Sequence, residues 1–181
     1  MLLKGCCMKR LCIFSDSENT LISVIKDNLK SVDVVCVTNL DEIKMLENID
    51  LIASIHNSCF PKDIIDNYKI INIHPSLLPS FNTNEPVKDA YLSGVKVTGV
   101  TVHKVENIDG SGMILAQYPV LIDNYTHFDQ LSDEINSLEQ RLYPIVISSV
   151  LDNKVFDIVE LIAPDSAHAC HSCGGCHKCE G

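Results

Sequence analysis

The segment DLIASIHNSCFPKDIIDNYKIINIH, residues 50–74, contains the pattern that decides the fold. Its two apolar runs, at 50–56 and 69–74, are rich in isoleucine and predict two buried strands. Residues 61–68 lie between these runs and begin with a proline, which helices accept in their first turn, so they predict a short helix. A strand–helix–strand unit of this kind indicates two parallel strands joined by a right-handed crossover.

The alternation of strands and helices continues on both sides of this unit. Strands are predicted at 10–15, 33–39, 96–105 and 113–122, and helices at 18–30, 40–49, 87–94 and 126–153. The last helix is predicted to begin at Thr126 with a capping-box pattern and to kink or break at Pro144. The chain therefore predicts an α/β domain over residues 8–163, with a Rossmann-like, mostly parallel sheet covered by helices on both faces.

Composition and charge exclude several classes of partner. The chain has 181 residues, 46% of them hydrophobic and 21% charged, with a formal net charge of −10. Such an acidic chain lacks the lysine and arginine footprint of a general nucleic-acid surface. Because no apolar stretch is long enough to cross a bilayer and the start is too short for a secretory signal, we expect a cytoplasmic protein without a membrane partner. We expect small-molecule substrates, and the sequence leaves the oligomeric state open.

The predicted strand at 69–74 ends with an amide and an imidazole, Asn72 and His74, which alternation places on the same face. Ligands of open parallel sheets bind beyond the carboxyl ends of the strands, and Asp109 lies in a connection that can reach the same crevice. An amide can donate to a carbonyl oxygen that becomes negative, and an imidazole oriented by a carboxylate can handle a proton. This set suits acyl transfer to an amine, although a histidine before a proline is more often structural.

Three blocks of sequence carry a resemblance to a known family. NIHPSLLPS at 72–80, VTGVTVHKVENIDGSGMILAQ at 97–117 and LEQRLYPIVIS at 138–148 resemble the folate-dependent formyltransferases, and the likeness covers roughly residues 8–155. The resemblance implies an enzyme that transfers a formyl group from the cosubstrate 10-formyltetrahydrofolate to an amine. It also implies the catalytic residues, which are Asn72, His74 and Asp109.

The resemblance further implies roles for individual side chains. Asn72 and a protonated His74 would hold the negative oxygen, and Asp109 would raise the pKa of His74 and relay a proton through water. His103 and Glu139 would contact substrate. The match at Glu139 favours glycinamide ribonucleotide, an intermediate of purine biosynthesis, over another small amine such as an amino sugar.

The chain departs from the family at the loop that binds phosphate. The family has a glycine-rich loop after the first strand, whereas residues 15–20 here are SDSENT, with two acids that oppose a dianion. Ser17 and Asn19 are the candidate substrate-binding residues, together with amides at the start of the next helix. The alternative is an ordinary helix cap with acids in the first turn.

A second departure follows the third predicted strand. The folate-binding loop of the family is apolar there, whereas this chain has the sequence SIHNSCFP at 54–61. We interpret His56 and Cys59 either as plain loop residues or as part of an altered pteridine pocket.

Residues 164–181 form a predicted tail outside the core that is rich in cysteine and histidine. Its four evenly spaced cysteines are Cys170, Cys173, Cys176 and Cys179. Repeated C-x-x-C steps let thiolates converge on one ion, which predicts an iron–sulfur cluster or zinc, with copper(I) also acceptable. A thiol-rich tail without a metal is the alternative. If the tail is the functional part, the chain is a metal- or redox-responsive protein on a formyltransferase scaffold.

Overall fold

The computed structural model describes residues 8–56 and 59–154 as one sheet with helices packed against it. Within these residues the strands are β1 (Arg10–Phe14), β2 (Asp33–Val37), β3 (Leu51–Ile55), β4 (Ile70–His74), β5 (Val97–Lys104) and β6 (Ile114–Leu121). The helices are α1 (Thr20–Asn28), α2 (Leu40–Met45), α3 (Lys62–Asn67), α4 (Pro86–Leu92) and α5 (Phe128–Leu151). Every predicted element in this part of the chain is present.

The strand order is β2-β1-β3-β4-β5-β6. The first four strands pair in parallel, and β5 is antiparallel to both β4 and β6, so β6 runs in the same direction as β1 to β4. The predicted mostly parallel sheet is therefore confirmed. The antiparallel pairing of β4 with β5 matters for function, because its register sets Asn72 directly opposite His103.

Helices cover both faces of the sheet, and the alternation along β1 shows why. Leu11 and Ile13 join one buried cluster with side chains of α1 and α5, whereas Cys12 and Phe14 join a second cluster with side chains of α2 and α3. Successive residues of a strand point to opposite faces, so the apolar run from Leu11 to Phe14 must be covered on both sides.

The long helix α5 corrects two predictions. It begins after His127, whose backbone N–H donates to the Gln130 side chain at 3.0 Å, and not at Thr126. The Thr126 hydroxyl donates instead to Asp123 in the preceding turn. The predicted break at Pro144 does not occur, since α5 runs through this residue. Burial of the apolar face of α5 outweighs the one helical hydrogen bond that a proline removes.

Among residues 8–56 and 59–154, no helix has the length and apolar character needed to cross a bilayer. The predicted boundary between residues 163 and 164 lies outside the described residues.

Candidate active site

A buried hydrogen-bond chain joins β4 to β5. Asn72 is fully buried, and its Nδ2 lies 3.2 Å from Nε2 of His103. The Nδ1 of His103 lies 3.0 Å from the carbonyl oxygen of Lys104. Because a carbonyl only accepts, Nδ1 carries the proton and Nε2 accepts from the Asn72 amide. Burial lowers the pKa of His103, which keeps this ring neutral and fixes the orientation of the amide.

The oxygen of the Asn72 amide is not held in the way that its nitrogen is. Its Oδ1 is buried and makes no hydrogen bond within the part of the chain that the structure describes. An unpaired buried polar atom costs about 1–3 kcal/mol. Since His103 takes only one N–H of the amide, the second N–H can also serve a ligand.

His74 is nearly buried at the end of β4, and its Nε2 lies 3.1 Å from the carbonyl oxygen of Phe81. By the same argument Nε2 carries the proton, and the Nδ1 of the neutral ring has a lone pair. Burial, with smaller effects from His103 and His56, lowers the pKa of His74. The expectation that Asp109 raises this pKa is therefore wrong for the structure as it stands.

Asp109 makes its hydrogen bonds locally. It is exposed in the turn between β5 and β6, and its Oδ1 accepts from the backbone N–H of Ser111 at 2.9 Å and from the Ser111 hydroxyl at 2.6 Å. These bonds lower the pKa of the Asp109 carboxyl. No hydrogen bond joins it to His74, because two donors on a residue only two positions away satisfy an aspartate first.

A cavity of about 180 Å³ lies next to His74 and His103, and neither Asn72 nor Asp109 is among its lining residues. The imidazoles of His74 and His103 line it together with the loop after β4 and with the turn residues Gly110, Ser111 and Gly112. The turn that carries Asp109 thus borders the same cavity as His74. Its volume is below the roughly 300–1,000 Å³ of sites that enclose a drug-sized ligand, so it suits the reacting end of a larger molecule.

Two residues that sequence reasoning missed hold the loop after His74. The Thr101 hydroxyl donates to the carbonyl of Ser76 at 2.6 Å and accepts from the N–H of Leu78 at 3.0 Å. Gln117, its partner across β5 and β6, donates to the carbonyl of Leu78 at 2.9 Å. A polar Thr101 between the apolar residues Val100 and Val102 was the available sequence signal.

Glu139 is placed apart from the 180 Å³ cavity, which it does not line. It is almost buried on α5, and its Oε1 lies 2.8 Å from Nε2 of His56, the residue that follows β3. His56 has a left-handed φ of 62°. Burial lowers the pKa of this histidine, but the hydrogen bond and charge of Glu139, helped by Asp16, outweigh burial and raise the pKa above 6.5.

The predicted phosphate loop is a helix cap. The Oδ1 of Asn19 accepts from the N–H of Leu21 at 2.8 Å, and the carbonyl of Ser17 accepts from the Ser15 hydroxyl at 2.8 Å. α1 begins at Thr20, so the acids of this loop precede its first turn instead of lying in it.

An open groove of about 510 Å³ borders the same loop. Carboxylates of Glu18 and Asp133 line it with amides and hydroxyls, and no lysine or arginine is among its lining residues in the described ranges.

Metal ligands are not assembled in the described part of the chain. No group of three or more His, Cys, Asp and Glu side chains there is arranged to hold an ion. The predicted ligands Cys170, Cys173, Cys176 and Cys179 lie outside the described residues.

A sequence profile of the formyl transferase family matches residues 37–147, which is more than half of the chain and includes both β4 and the turn of Asp109. The chain belongs to the formyl transferase family. The phosphoribosylglycinamide formyltransferase of Bacillus subtilis (strain 168) is 45% identical to this formyl transferase over 83 residues, which are 46% of this chain and 43% of the relative. The matching region therefore spans less than half the length of that curated relative.

Solved structures of the family have the same fold. Phosphoribosylglycinamide formyltransferase from Bacillus halodurans aligns with a TM-score of 0.69 at 26% identity, over 82% of this chain and 100% of that one. Glycinamide ribonucleotide transformylase 1 from Geobacillus kaustophilus aligns with a TM-score of 0.69 at 28% identity, over 80% and 99% of the two chains. The predicted formyltransferase fold is confirmed.

Proposed function

We propose that this formyl transferase moves the formyl group of 10-formyltetrahydrofolate to the amine of glycinamide ribonucleotide, a step of purine biosynthesis. The observation that carries the chemistry is the buried Asn72 amide, which His103 orients and which keeps an N–H and an oxygen for a ligand. The names of the relatives from Bacillus subtilis and Bacillus halodurans support the acceptor.

The amine nitrogen attacks the formyl carbon, and the formyl oxygen becomes negative. The second N–H of Asn72 donates to that oxygen in a buried site, where a preorganised donor is worth far more than in water. Nδ1 of His74 adds a second donor once it has taken a proton from solvent before the attack, while its Nε2–H stays with the carbonyl of Phe81. Burial disfavours the charged ring, so the negative oxygen itself must stabilise the cation.

Asp109, whose turn borders the cavity that His74 lines, is proposed to support the positive charge on His74. For this role its carboxylate exchanges the two donors of Ser111 for the imidazole. This exchange requires a change in the backbone of the turn, which the flanking glycines Gly110 and Gly112 permit.

The experiment for this function follows tetrahydrofolate release by the purified full chain with both substrates. We expect turnover that requires 10-formyltetrahydrofolate and glycinamide ribonucleotide together. Absence of turnover with this amine and with amino sugars contradicts the proposal.

Formyl transfer to another small amine, such as an amino sugar, is the second candidate. The loop at residues 15–19 favours it, because Asp16 and Glu18 oppose a phosphate dianion. In addition, the side-chain oxygen of Asn19 occupies the backbone N–H of Leu21, which is then not free for a phosphate. The two candidates separate in one comparison of kcat/KM. Glycinamide ribonucleotide is the better substrate if the first holds, and an amine without phosphate is the better substrate if the second holds.

We also propose that residues 8–163 form the catalytic domain and that the four cysteines of residues 164–181 bind an iron–sulfur cluster or zinc. Thiolate ligands at C-x-x-C spacing support this metal assignment, and nothing in formyl transfer requires a metal. Replacement of all four cysteines by serine should abolish metal content in anaerobically purified protein and leave turnover unchanged. Turnover lost together with the metal would favour the metal-responsive alternative.

A further inference from the structure

Glu139 and His56 form a carboxylate–imidazole pair that the proposed chemistry does not use. The Glu139 side chain is 5% exposed, and a carboxylate so buried requires a partner. Its Oε1 lies 2.8 Å from Nε2 of His56. Because a carboxylate only accepts, Nε2 carries a proton, and the neutral ring has its lone pair on Nδ1. The His56 side chain is 40% exposed, so a ligand can reach the ring.

The pair lies at the edge of the sheet where β4 ends. β3 and β4 pair in parallel up to Ile55 and Ile73, and the backbone N–H of His56 extends the pairing with a bond to the carbonyl of Ile73 at 3.2 Å. His56, directly after β3, and His74, the last residue of β4, therefore lie side by side at the ends of two neighbouring strands. The spacing of such strands is about 4.8 Å. The charge of His56 also lowers the pKa of His74, as expected for two nearby rings.

The other groups at this edge are less suited to accept a proton from the amine. His74 donates Nε2–H to Phe81 and uses Nδ1 to hold the formyl oxygen, so it cannot accept a proton there in the same step. Ser111 holds the Asp109 carboxylate. Asp16 faces His56 from the loop after β1 and adds negative charge near the imidazole.

We propose that His56, oriented by Glu139, accepts the proton that the acceptor amine loses during formyl transfer. This role rests on the proposed function, because it needs an amine that attacks a formyl carbon. A carboxylate that holds one nitrogen of an imidazole leaves the other nitrogen aimed and basic, which is how such pairs act as general bases.

The step balances without another reactant. The lone pair of the amine forms the new N–C bond as the C=O pair moves to oxygen, and the amine proton passes to Nδ1 of His56. The imidazolium is paired with the Glu139 carboxylate. When the tetrahedral centre collapses, a lone pair of the negative oxygen re-forms the C=O bond, the C–N10 bond breaks with its electron pair on N10 of tetrahydrofolate, and N10 takes the proton from His56.

The test uses His56→Gly and His56→Gln in the full chain. Glycine adopts a φ of 62° without strain, so His56→Gly keeps the backbone and leaves space for a free imidazole. Glutamine keeps an N–H for Glu139 but cannot take a proton. We expect both variants to lower kcat by about 10²–10⁴-fold with little change in KM. Added imidazole should restore activity to His56→Gly alone.

His127→Gln is the matched control, because this histidine is exposed at the start of α5. It should keep wild-type kcat and show no response to imidazole. An NMR titration gives an independent readout of the pair: the pKa of His56 should lie above 6.5 in the wild type and fall in Glu139→Gln.

The proposed role of His56 is overturned, and the proposed function is not, if His56→Gln keeps wild-type kcat or if imidazole does not restore the activity lost in His56→Gly. A wild-type chain that forms no formylated amine overturns the proposed function and this role with it. The titration separates the two failures, since it reports the pair whether or not the enzyme turns over.

Discussion

Two regions at the end of the sheet where β4 stops differ in charge: one lies between β4 and β5, and the other lies near β1 and β3. Between β4 and β5, two imidazoles with lowered pKa values border a small cavity, and Asn72 is held by a buried hydrogen bond. Near β1 and β3, a histidine with a raised pKa is paired with Glu139, next to a loop that carries two acids. The first side contains the groups that we propose for formyl transfer. The second side, where the resemblance leads us to expect the acceptor, is where this chain departs from its family.

Removal of the amide should have the largest effect. Asn72→Ala deletes the donor to the formyl oxygen and should lower kcat by about 10²–10³-fold. Asn67→Ala, which removes an exposed amide on α3, is the control and should keep wild-type turnover. Steady-state release of tetrahydrofolate measures both. A similar kcat for the two variants would mean that the β4–β5 side does not carry the chemistry.

Substitution of Gly112 should disturb the turn that carries Asp109. A Cβ at this position would lie 2.1 Å from the carbonyl oxygen of Lys104, so the backbone has to move. Gly112→Ala should lower the free energy of unfolding by about 1–3 kcal/mol and reduce turnover. The control is Gly94→Asn, since nothing lies near that position and asparagine tolerates its left-handed φ of 69°. Urea unfolding and kcat are measured for both variants. If Gly112→Ala has the stability and kcat of the wild type, the close contact between residue 112 and the carbonyl of Lys104 is refuted.

Tyr143 connects the helix of Glu139 to the sheet. Its hydroxyl donates to the carbonyl of Ser54 at 2.6 Å in a fully buried position. Tyr143→Phe should lower the free energy of unfolding by about 1–2 kcal/mol, because the hydrogen bond is lost and the packing is kept. Tyr125→Phe, on an exposed ring, should change it very little. Equal stability of the two variants in urea would show that this bond does not anchor α5.

The smallest effects are expected from the titration of His103 and His56, whose contributions to stability should depend on pH in opposite directions. The folded-state pKa of His103 is lowered by burial, so the stability it contributes above pH 6.5 is lost as the pH falls through the lowered value. The pKa of His56 is raised, so its contribution is complete below pH 6.5 and is lost as the pH rises through the raised value. Urea unfolding between about pH 5 and pH 8 measures both. The wild type should have a higher free energy of unfolding than His103→Gln, and this difference should shrink as the pH falls. The corresponding difference from His56→Gln should shrink as the pH rises. If the two differences in the free energy of unfolding changed with pH in the same direction, the two histidines would not differ as described.

The fold was predictable because its signal is periodic. The apolar runs and the proline before α3 predict each element in the described part of the chain from neighbouring residues alone. The site was only partly predictable, because it depends on pairings between distant residues. His103 faces Asn72 through the register of two antiparallel strands, and His56 meets Glu139 across 83 positions. The hydrogen bonds of Asp109 were not predicted for the opposite reason, since Ser111 offers it two nearby donors that a spacing argument does not weigh.

The central claim is that Asn72 and His74 together hold the negative charge of the formyl oxygen. A crystal structure with a stable 10-formyl folate analogue tests it most directly. The account predicts the formyl oxygen within about 2.7–3.2 Å of both Nδ2 of Asn72 and Nδ1 of His74. A formyl group bound beyond hydrogen-bonding distance of these two nitrogens contradicts it.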